Sequence, residues 1–463
     1  MCSIPAPPPD ATPDRAAPPR GRVVTLDADR LAQFAATAQA LGVSLSAARA
    51  LLAVFLGDAA PSVAGLGRRA QQAGRRAGAL LAVLDPYSRP RARQVAADEI
   101  FSGRRPVLMT VEQDSLCWLG GRLAPDRGGP QWAQEFGQLP AAQQVTRDGG
   151  QGLRKGLELA NAARAREGRP AIEDQEDHFH ILHRGRRALR AVRHKAVRAF
   201  HKADDAEKAL RAARRRGRIG GGRVSAVNRW WKEAEAAWDR WAAHERAFER
   251  LRAALRLWAP HGELNTRARA EAEVQAALAE LTGPEWSRLR SRLVGAKAFT
   301  FLDRAHEQLA ALPVAAVLRE AAVQAEGLRQ CPAALRGEGG QAAALRGVLL
   351  AAGLVLWLAG ESGARAVALV RGVVGGAWRA SSLVEGMNSV LRMQQARQRR
   401  LTQGLLDLKR LYWNSHAFRA GRRKGHSPYE RLGVALPPGS WWDLLRMTPE
   451  QLADQLAILN PAA

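Results

Sequence analysis

The fold is decided by residues 93–125, which read "RQVAADEIFSGRRPVLMTVEQDSLCWLGGRLAP". Three short apolar runs, 93–103, 105–115 and 116–125, are separated by turn residues such as Gly103 and Asp114. Runs of this length bounded by turn residues are typical of β-strands. Because the connections are too short for a parallel crossover, we predict three consecutive strands with antiparallel pairing.

The sequence after residue 125 is predicted to alternate between helix and strand. "GPQWAQEFGQLP" (129–140) predicts a short helix, "QQVTRDGGQG" (143–152) a fourth strand that ends on Asp148, and "LRKGLELANAARAREG" (153–168) a helix. "AIEDQEDHFHIL" (171–182) predicts a fifth strand or its exit loop. The order indicates an α/β core whose mixed sheet begins antiparallel and ends parallel.

Helical text surrounds this core. In 27–85, two short helices and a turn containing Pro61 precede a third helix that carries Arg68, Arg69, Arg75 and Arg76. This pattern is typical of a helix-turn-helix that reads DNA. A plain helical bundle with a solvated arginine face is the alternative.

From 184 to about 345 the text is almost entirely helical and contains six tryptophans: Trp230, Trp231, Trp238, Trp241, Trp258 and Trp286. Such residues are either core or stacking platforms for unpaired bases. The longest apolar run, 347–360, is too short to span a bilayer, and we predict a buried helix there.

Composition indicates the partner and the compartment. The 463 residues carry a formal charge of +26, which indicates a polyanion such as nucleic acid, with a merely solvated basic surface as the alternative. Cys2, Cys117 and Cys331 provide neither a disulfide framework nor metal-ligand spacing, as in a reducing cytosol. Residues 1–26 are rich in Pro and Ala and lack the apolar segment of a signal peptide. We therefore expect a disordered leader on a soluble, cytoplasmic protein without a membrane partner.

Three carboxylates lie at positions in the sequence from which the predicted fold would bring them together. Asp98 lies in the first strand, Asp148 ends the fourth, and Glu385 lies on a late helix. If strands one and four are neighbours, their carboxylates converge at one edge, and a helix laid over that edge supplies the third. Such oxygens suit Mg²⁺, with Mn²⁺ as a substitute, and two ions about 3.5–4 Å apart would act on a phosphodiester.

The chain resembles the DDE transposases of bacterial insertion sequences in three stretches: "ADEIFSGRRPVLMTV" (97–111), "VTRDGGQGLRKG" (145–156) and a closing text that begins "SSLVEGMNSVLRMQQARQRRLTQGLL" (381–406). The Ser-Ser-x-x-Glu-Gly-x-Asn helix, the arginine-rich helix and a later Lys-Gly-x-Ser-Pro segment are the most specific features. The resemblance implies that Asp98, Asp148 and Glu385 are the catalytic, metal-binding acids. It also implies site support from Asp177, His180 and Asn388.

The resemblance further implies an RNase H-like core interrupted by a large all-helical insertion and preceded by a helical DNA-binding domain. The expected organisation is a leader (1–26), a helix-turn-helix-like domain (27–88), the first core part (89–200), the insertion (201–370), the last core part (371–435) and a helical tail (436–463).

Each acid has a structural alternative. Asp114 is a rival for the first acid, although it falls at a turn and not within the first strand. Asp148 is also a common turn former. Glu385 would also suit an exposed pair with Arg379 or Arg392. His178 and His183 complete no zinc spacing.

The closing segment is the most basic part of the core. Between 371 and 430 there are 12 Lys and Arg residues against 3 Asp and Glu. We expect residues 391–413 to form one amphipathic helix whose charged side, with Lys409 and Arg410, faces phosphates. The residues expected to bind DNA are Arg379, Arg392, Arg397, Arg399, Arg400, Arg422, Arg423 and Lys424, with Arg68 and Arg69 of the N-terminal helices.

The resemblance implies a transposase that hydrolyses phosphodiesters at the ends of its element and joins the 3′-hydroxyls to target DNA. Its partners would be double-stranded DNA and further copies of the chain, in a homodimer or larger complex. Two alternatives remain: a nuclease of similar fold without strand transfer, and a non-catalytic DNA-binding protein derived from a transposase.

Overall fold

The computed structural model describes residues 26–461 except 219, 294, 378–383, 385, 390, 392–400 and 422. Its strands form one sheet, in the order β3-β2-β1-β4-β5: β1 (Gln94–Ser102), β2 (Arg105–Glu112), β3 (Trp118–Leu123), β4 (Gln144–Arg147) and β5 (Glu173–Glu176). β1 pairs antiparallel with β2, and β2 with β3, whereas β4 pairs parallel with both β1 and β5. The predicted mixed sheet is confirmed.

Helices occupy most of the remaining chain. Before and within the sheet region they are α1 (Ala28–Ala40), α2 (Leu45–Leu56), α3 (Val63–Ser88), α4 (Gly129–Gly137) and α5 (Gln151–Arg166). After β5 they are α6 (His178–Arg215), α7 (Gly221–Ala254), α8 (Arg267–Glu280), α9 (Ser287–Leu293), α10 (Thr300–Ala310), α11 (Ala316–Gln330), α12 (Pro332–Leu335), α13 (Gly340–Leu358) and α14 (Gly360–Gly375). Residues 384, 386–389 and 391 are also helical. The last helices are α15 (Gln403–Ser415), α16 (Pro428–Arg431), α17 (Trp441–Arg446) and α18 (Pro449–Leu459).

The two faces of β1 enter different hydrophobic clusters, because side chains alternate along a strand. Val95 and Ala97 pack in the cluster that α3, α4, α5 and α15 complete. Ala96 and Ile100 pack on the opposite face, in the cluster that includes Val384, Met387 and Leu391. Asp98 lies between Ala96 and Ile100 on that second face, so the strand presents its carboxylate towards the helical segment that begins at 384.

Helix α15 covers the edge strand β3. Gln403 accepts a hydrogen bond from the Leu123 amide (3.0 Å), and Asn414 bonds both backbone groups of Trp118 (2.8 and 2.9 Å). Arg410 donates from Nε to the Trp118 carbonyl (2.8 Å). These side chains pair polar groups that an open edge would expose to other strands.

The helical insertion covers the opposite edge, at β5. The Gln175 side chain accepts a hydrogen bond from the Phe301 amide (2.9 Å), and Lys297 contacts Asp174 at 2.6 Å. His178 Nε2 lies 2.7 Å from the Ala298 carbonyl oxygen. The insertion is therefore docked on the sheet through the segment between α9 and α10. Helix α6 runs unbroken through position 200, so no loop marks the expected start of the insertion at 201.

Helix α3 joins the N-terminal helices to the core. Its later residues, including Leu80, Leu81 and Leu84, pack in the same cluster as Val95 and Leu408. Asp85 of α3 forms a buried ion pair with Arg410 of α15. At the crossing of these helices, a Cβ on Gly74 would lie 2.5 Å from the Gly404 carbonyl oxygen, which only glycine avoids. The third helix of the predicted DNA-binding domain is therefore part of the sheet's own core.

Two expectations about the closing segment are wrong. Residues 391–413 do not form one helix, because Leu401 and Thr402 are not helical and the Thr402 side chain caps α15. Lys409 and Arg410 do not face solvent either: both are buried, because α15 lies along the sheet edge and inserts them between α1, α3 and β3.

The apolar run at 347–360 is helical but not buried as predicted. In α13, Leu350 and Trp357 are each 75% exposed, and the buried residues are Ala352 and Leu356. The helix contacts α11, α12 and α14 and leaves the side chains of Leu350 and Trp357 largely exposed to solvent. Among the described helices, α13 alone is long and apolar enough to cross a bilayer, and a single helix of this kind is weak evidence for a membrane span.

Candidate active site

The sheet brings Asp98 and Asp148 to adjacent positions. Ala97 of β1 pairs in parallel register with Arg147 of β4, and each acid is the next residue in its chain. Neighbouring strands lie about 4.8 Å apart, and parallel strands present their C-terminal ends to the same edge. The strand pairing therefore places these two residues next to each other at one end of the paired strands.

Asp98 is a buried carboxylate with partners on both oxygens. Its exposed fraction is 7%. Oδ1 accepts a hydrogen bond from the Glu99 amide (2.9 Å), and Oδ2 accepts one from Nδ2 of Asn388 (2.6 Å). Asn388 is itself fully buried. The late helical segment therefore reaches the first strand at the acid.

Asp148 lies in the turn between β4 and α5. Its Oδ1 accepts a hydrogen bond from the Gly150 amide (2.8 Å), and its carbonyl oxygen accepts one from Arg147 (2.9 Å). Gly149 lies directly beneath Arg292 of α9, where any Cβ would collide with the guanidinium. An arginine of the insertion therefore lies close against the backbone of this turn.

Asp177 and His180 form a pair beside the two acids. Asp177 is fully buried and caps α6 by accepting from the Phe179 amide (2.8 Å), while its Oδ2 lies 2.5 Å from Nδ1 of His180. The hydrogen bond to Asp177 raises the pKa of His180; burial opposes this, and the charges of Asp177, Asp148 and Asp98 add to it. His180 therefore lies within electrostatic reach of both acids.

Glu99 is a carboxylate near the site to which we assigned no role from sequence. Burial, and then the charge of Asp148, raise the pKa of Glu99, although Arg127 pairs with it at 3.0 Å. Its Oε2 is buried and has no partner in the described part of the chain. The sequence feature that could have indicated Glu99 is its position directly after Asp98. Because side chains alternate along β1, Glu99 and Asp98 lie on opposite faces of the sheet.

The third expected acid, Glu385, lies outside the described residues. Its neighbours Val384 and Met387 are buried against the sheet in the same cluster as Ala96. Asn388, three positions after Glu385 in the sequence, contacts Asp98. The described residues on either side of that position therefore pack on the face of β1 that carries Asp98.

The rival acid Asp114 lies elsewhere. It follows β2 in the turn before β3, next to the start of β1, because the Gln113 amide donates to the Gln94 carbonyl (2.9 Å). Its side chain is about half exposed and pairs with Arg431 at 3.1 Å. Asp98 and Asp148 lie towards the other end of β1.

The residues expected to bind DNA fall into three groups. Six lie outside the described residues: Arg379, Arg392, Arg397, Arg399, Arg400 and Arg422. Arg68 and Lys424 are exposed, and Arg69 is half-buried. Arg423 donates to the carbonyl oxygens of Asp114 (2.7 Å) and Gln113 (3.1 Å), so it holds the β2–β3 turn.

The tryptophans of the helical region differ in burial. Trp286 and Trp258 are buried in the core of the insertion. Trp238 is 41% exposed and packs against Trp241, with ring centroids 4.6 Å apart. Lys202 lies over the ring of Trp230, at 3.3 Å from its centroid. The partly exposed tryptophans belong to the α6–α7 hairpin.

The donor atoms at the site fit a hard divalent cation. The Asp98 carboxylate and the side-chain oxygen of Asn388 are buried together, and Asn388 Oδ1 has no hydrogen-bond partner among the described residues. Oxygen donors of this kind are those that Mg²⁺ and Mn²⁺ prefer. Within the described ranges, which omit Glu385, no three His, Cys, Asp or Glu side chains are grouped to hold a metal ion.

Basic residues of α6 and of the insertion, which the sequence did not single out, also lie near the acids. Arg292 of α9 bonds Glu176 (2.7 Å) and the Gly149 carbonyl (2.8 Å). Arg184 of α6 lies within electrostatic reach of Asp148 and Arg292. Because Arg292 follows Asp148 by more than 140 positions, only the folded arrangement brings them together.

No protein-family model, no curated protein and no solved structure matches the chain at a significant level.

Proposed function

We propose that this chain is a metal-dependent DNA transposase of the DDE type, with an RNase H-like core interrupted by its helical insertion. Such an enzyme is a nuclease and polynucleotidyl transferase. The observation that carries the proposal is the hydrogen bond from Asn388 to Asp98, because it joins the motif of the late helix to the acid of the first strand.

The arrangement of the acids supports the proposal. Asp98 and Asp148 follow a paired position on adjacent parallel strands. Glu385 is proposed as the third acid, since it precedes Asn388 by three positions, a spacing that makes neighbours on a helix. The order of the acids along the chain, and the insertion before the last one, agree with the family that the sequence resembles.

The chain's own residues have distinct tasks in this proposal. Asp98, Asp148 and Glu385 would hold the divalent ions, and Asn388 would fix the orientation of the Asp98 carboxylate. His180, held by Asp177, would act as a positioning residue within electrostatic reach of Asp148 and Asp98. When bound, Mg²⁺ or Mn²⁺ would supply Lewis acidity on both sides of the scissile phosphodiester.

The reaction would have two stages. Hydrolysis of a phosphodiester at an element end would leave a free 3′-hydroxyl. That hydroxyl would then attack a phosphodiester of target DNA, so that one P–O bond forms as another breaks. The same acids would serve both stages.

The charge of the chain supports DNA as the partner. A formal charge of +26 on a chain with an ordinary apolar fraction suits a protein that lies on double-stranded DNA. The resemblance also suggests a homodimer or larger complex on DNA and a location on the bacterial nucleoid, in the cytoplasm. The N-terminal helices are the proposed readers of the terminal repeats.

One experiment distinguishes this proposal from its two alternatives. The purified full chain is supplied with linear DNA that carries the genomic flanks of its gene, with Mg²⁺ or Mn²⁺. Cleavage with joined products is the expected result. Cleavage without joining would favour a nuclease, and salt-sensitive binding with neither product would favour a non-catalytic DNA-binding protein.

A matched pair of variants assigns the first acid in the same assay. Asp98→Asn is expected to abolish cleavage and leave DNA binding near normal, whereas Asp114→Asn is expected to cleave as the unsubstituted chain does. The reverse pattern would overturn the assignment of Asp98.

A further inference from the structure

A basic cleft lies between α6 and α9, next to the candidate active site. It has a volume of about 690 Å³, and its polar lining includes Arg184, Arg187, Arg288, Arg292, Ser287 and Ser291. Two of these arginines come from α6 and two from α9. The cleft is therefore built by the first half of α6 and by the part of the insertion around α9.

The positive charge of the cleft is largely uncompensated. Arg187 and Arg288 are exposed, and neither they nor Arg184 has a carboxylate of the described residues within 4 Å. The acid that lines the cleft, Glu285, is paired with Lys195. Arginine side chains gathered in this way bind phosphate through several charge-assisted hydrogen bonds.

Arg292 links the cleft to the turn that carries Asp148. Arg292 lines the cleft and also donates to the carbonyl oxygen of Gly149, the residue after Asp148. Burial, and then the charge of Arg292, lower the pKa of Arg184, while Asp148 and Glu176 act in the opposite direction. A strand that leaves Asp148 would thus pass from the carboxylates directly onto the arginines.

We infer that this cleft binds the phosphodiester backbone of a DNA strand as the strand leaves the Asp98 and Asp148 site. The inference rests on the proposed function for the identity of the strand. It assigns the helical insertion a task, which is to hold backbone phosphates. Phosphate contacts of this kind position DNA and carry no sequence information.

The test measures binding without chemistry. Full-length protein with Arg187→Gln and Arg288→Gln is compared with Arg186→Gln and Arg190→Gln, which change exposed arginines of the same helix outside the cleft. Fluorescence anisotropy with a labelled duplex and a labelled single strand, in EDTA, gives the salt dependence of binding. The cleft variant is expected to show a slope of log K against log salt shallower by about 1.8 on duplex DNA or about 1.4 on a single strand.

An unchanged slope in the cleft variant, or an equal change in the control variant, would overturn the inference. A second measurement does not depend on removing charge: Ser291→Cys carries a photoreactive aryl azide, with exposed Ser225→Cys as the control. Crosslinking to DNA is expected from position 291 and not from 225, and equal or absent crosslinking would contradict the cleft.

The outcome is separable from that of the proposed function. If the cleft variant shows the shallower salt slope but the unsubstituted chain does not cleave DNA in Mg²⁺, the cleft is supported and the transposase is rejected. If the unsubstituted chain cleaves DNA but the cleft variant keeps the same salt slope, the transposase is supported and the cleft is rejected.

Discussion

Asn388 donates a 2.6 Å hydrogen bond from Nδ2 to Oδ2 of Asp98, although 290 positions separate the two residues in the chain. Both side chains are buried, so the bond holds the Asp98 carboxylate in one orientation. It also fixes the late helical segment against the face of β1 that carries this acid. The closing motif and the first strand are therefore parts of one site.

Asn388→Ala is expected to reduce cleavage by about 10–100-fold, as removal of a side chain that orients a metal ligand does. It should also lower the free energy of unfolding by about 1–3 kcal/mol, because a buried carboxylate loses a donor. Steady-state cleavage assays and denaturant unfolding measure the two effects. Ser389→Ala, at an exposed neighbour, is the control, and equal activity of the two variants would contradict the role of Asn388.

His180 is expected to titrate above the ordinary histidine pKa of about 6.5, since its hydrogen bond to Asp177 favours the charged imidazolium. The raised pKa means that this pair stabilises the fold at low pH and that the contribution disappears as the pH rises through the pKa of His180 in the folded protein. Asp177→Asn keeps a residue able to cap α6 but removes the charge, so it should lower the pKa of His180. NMR titration of the imidazole measures this, and an unchanged pKa in the variant would reject the pairing.

Asp85→Asn is expected to lower the free energy of unfolding by about 3–5 kcal/mol, because it leaves the guanidinium of Arg410 buried without a charged partner. The Arg410 side chain is 6% exposed, and it links α15 to α3 and to the Trp118 carbonyl. Urea unfolding monitored by tryptophan fluorescence provides the value. Asp58→Asn, at an exposed acid, should change it by less than about 0.5 kcal/mol. Comparable small effects of both substitutions would show that the buried pair contributes little.

Lys409→Met is expected to stabilise the protein at pH 7. Burial lowers the pKa of Lys409 to about 8, so the folded chain binds fewer protons than the unfolded chain between that pH and the ordinary lysine pKa. Protonation of the buried amine at pH 7 then costs about 3 kcal/mol, against about 1 kcal/mol for its hydrogen bond to the Ala40 carbonyl. The net gain in the free energy of unfolding is therefore about 2 kcal/mol at pH 7, and it should shrink as the pH rises towards 10. Denaturant unfolding at several pH values measures it. A variant that is less stable at pH 7 would contradict this.

The sequence predicts the sheet well because the features that determine the strands and their pairing lie close together in the chain. Turn residues bound each strand, and strand length and connection length determine antiparallel or parallel pairing. The alternation of Ala96, Asp98 and Ile100 likewise places the acid on one face. Asp27, just before the first helix, is a local signal too: its side chain caps α1 by accepting a hydrogen bond from the Arg30 amide.

The features that the sequence did not predict depend on contacts between distant segments. From the sequence, Lys409 and Arg410 are expected to face solvent. In the structure α15 packs along β3, so Lys409 is buried and donates to the Ala40 carbonyl, and Arg410 is buried and pairs with Asp85. The same holds for Arg292, which reaches Gly149 only because the insertion docks on the edge of β5. Periodicity reveals which face of a helix is apolar, but it does not reveal which neighbour covers the other face.

In the proposed enzyme, Asp98, Asp148 and Glu385 hold a pair of divalent ions. The most direct test is to count the Mn²⁺ ions bound by the complex of the full chain with DNA, by electron paramagnetic resonance, in the unsubstituted protein and in the triple variant Asp98→Asn, Asp148→Asn, Glu385→Gln. Binding by these three acids predicts about two ions for each active chain and their loss in the triple variant. An unchanged Mn²⁺ stoichiometry in that variant would contradict it.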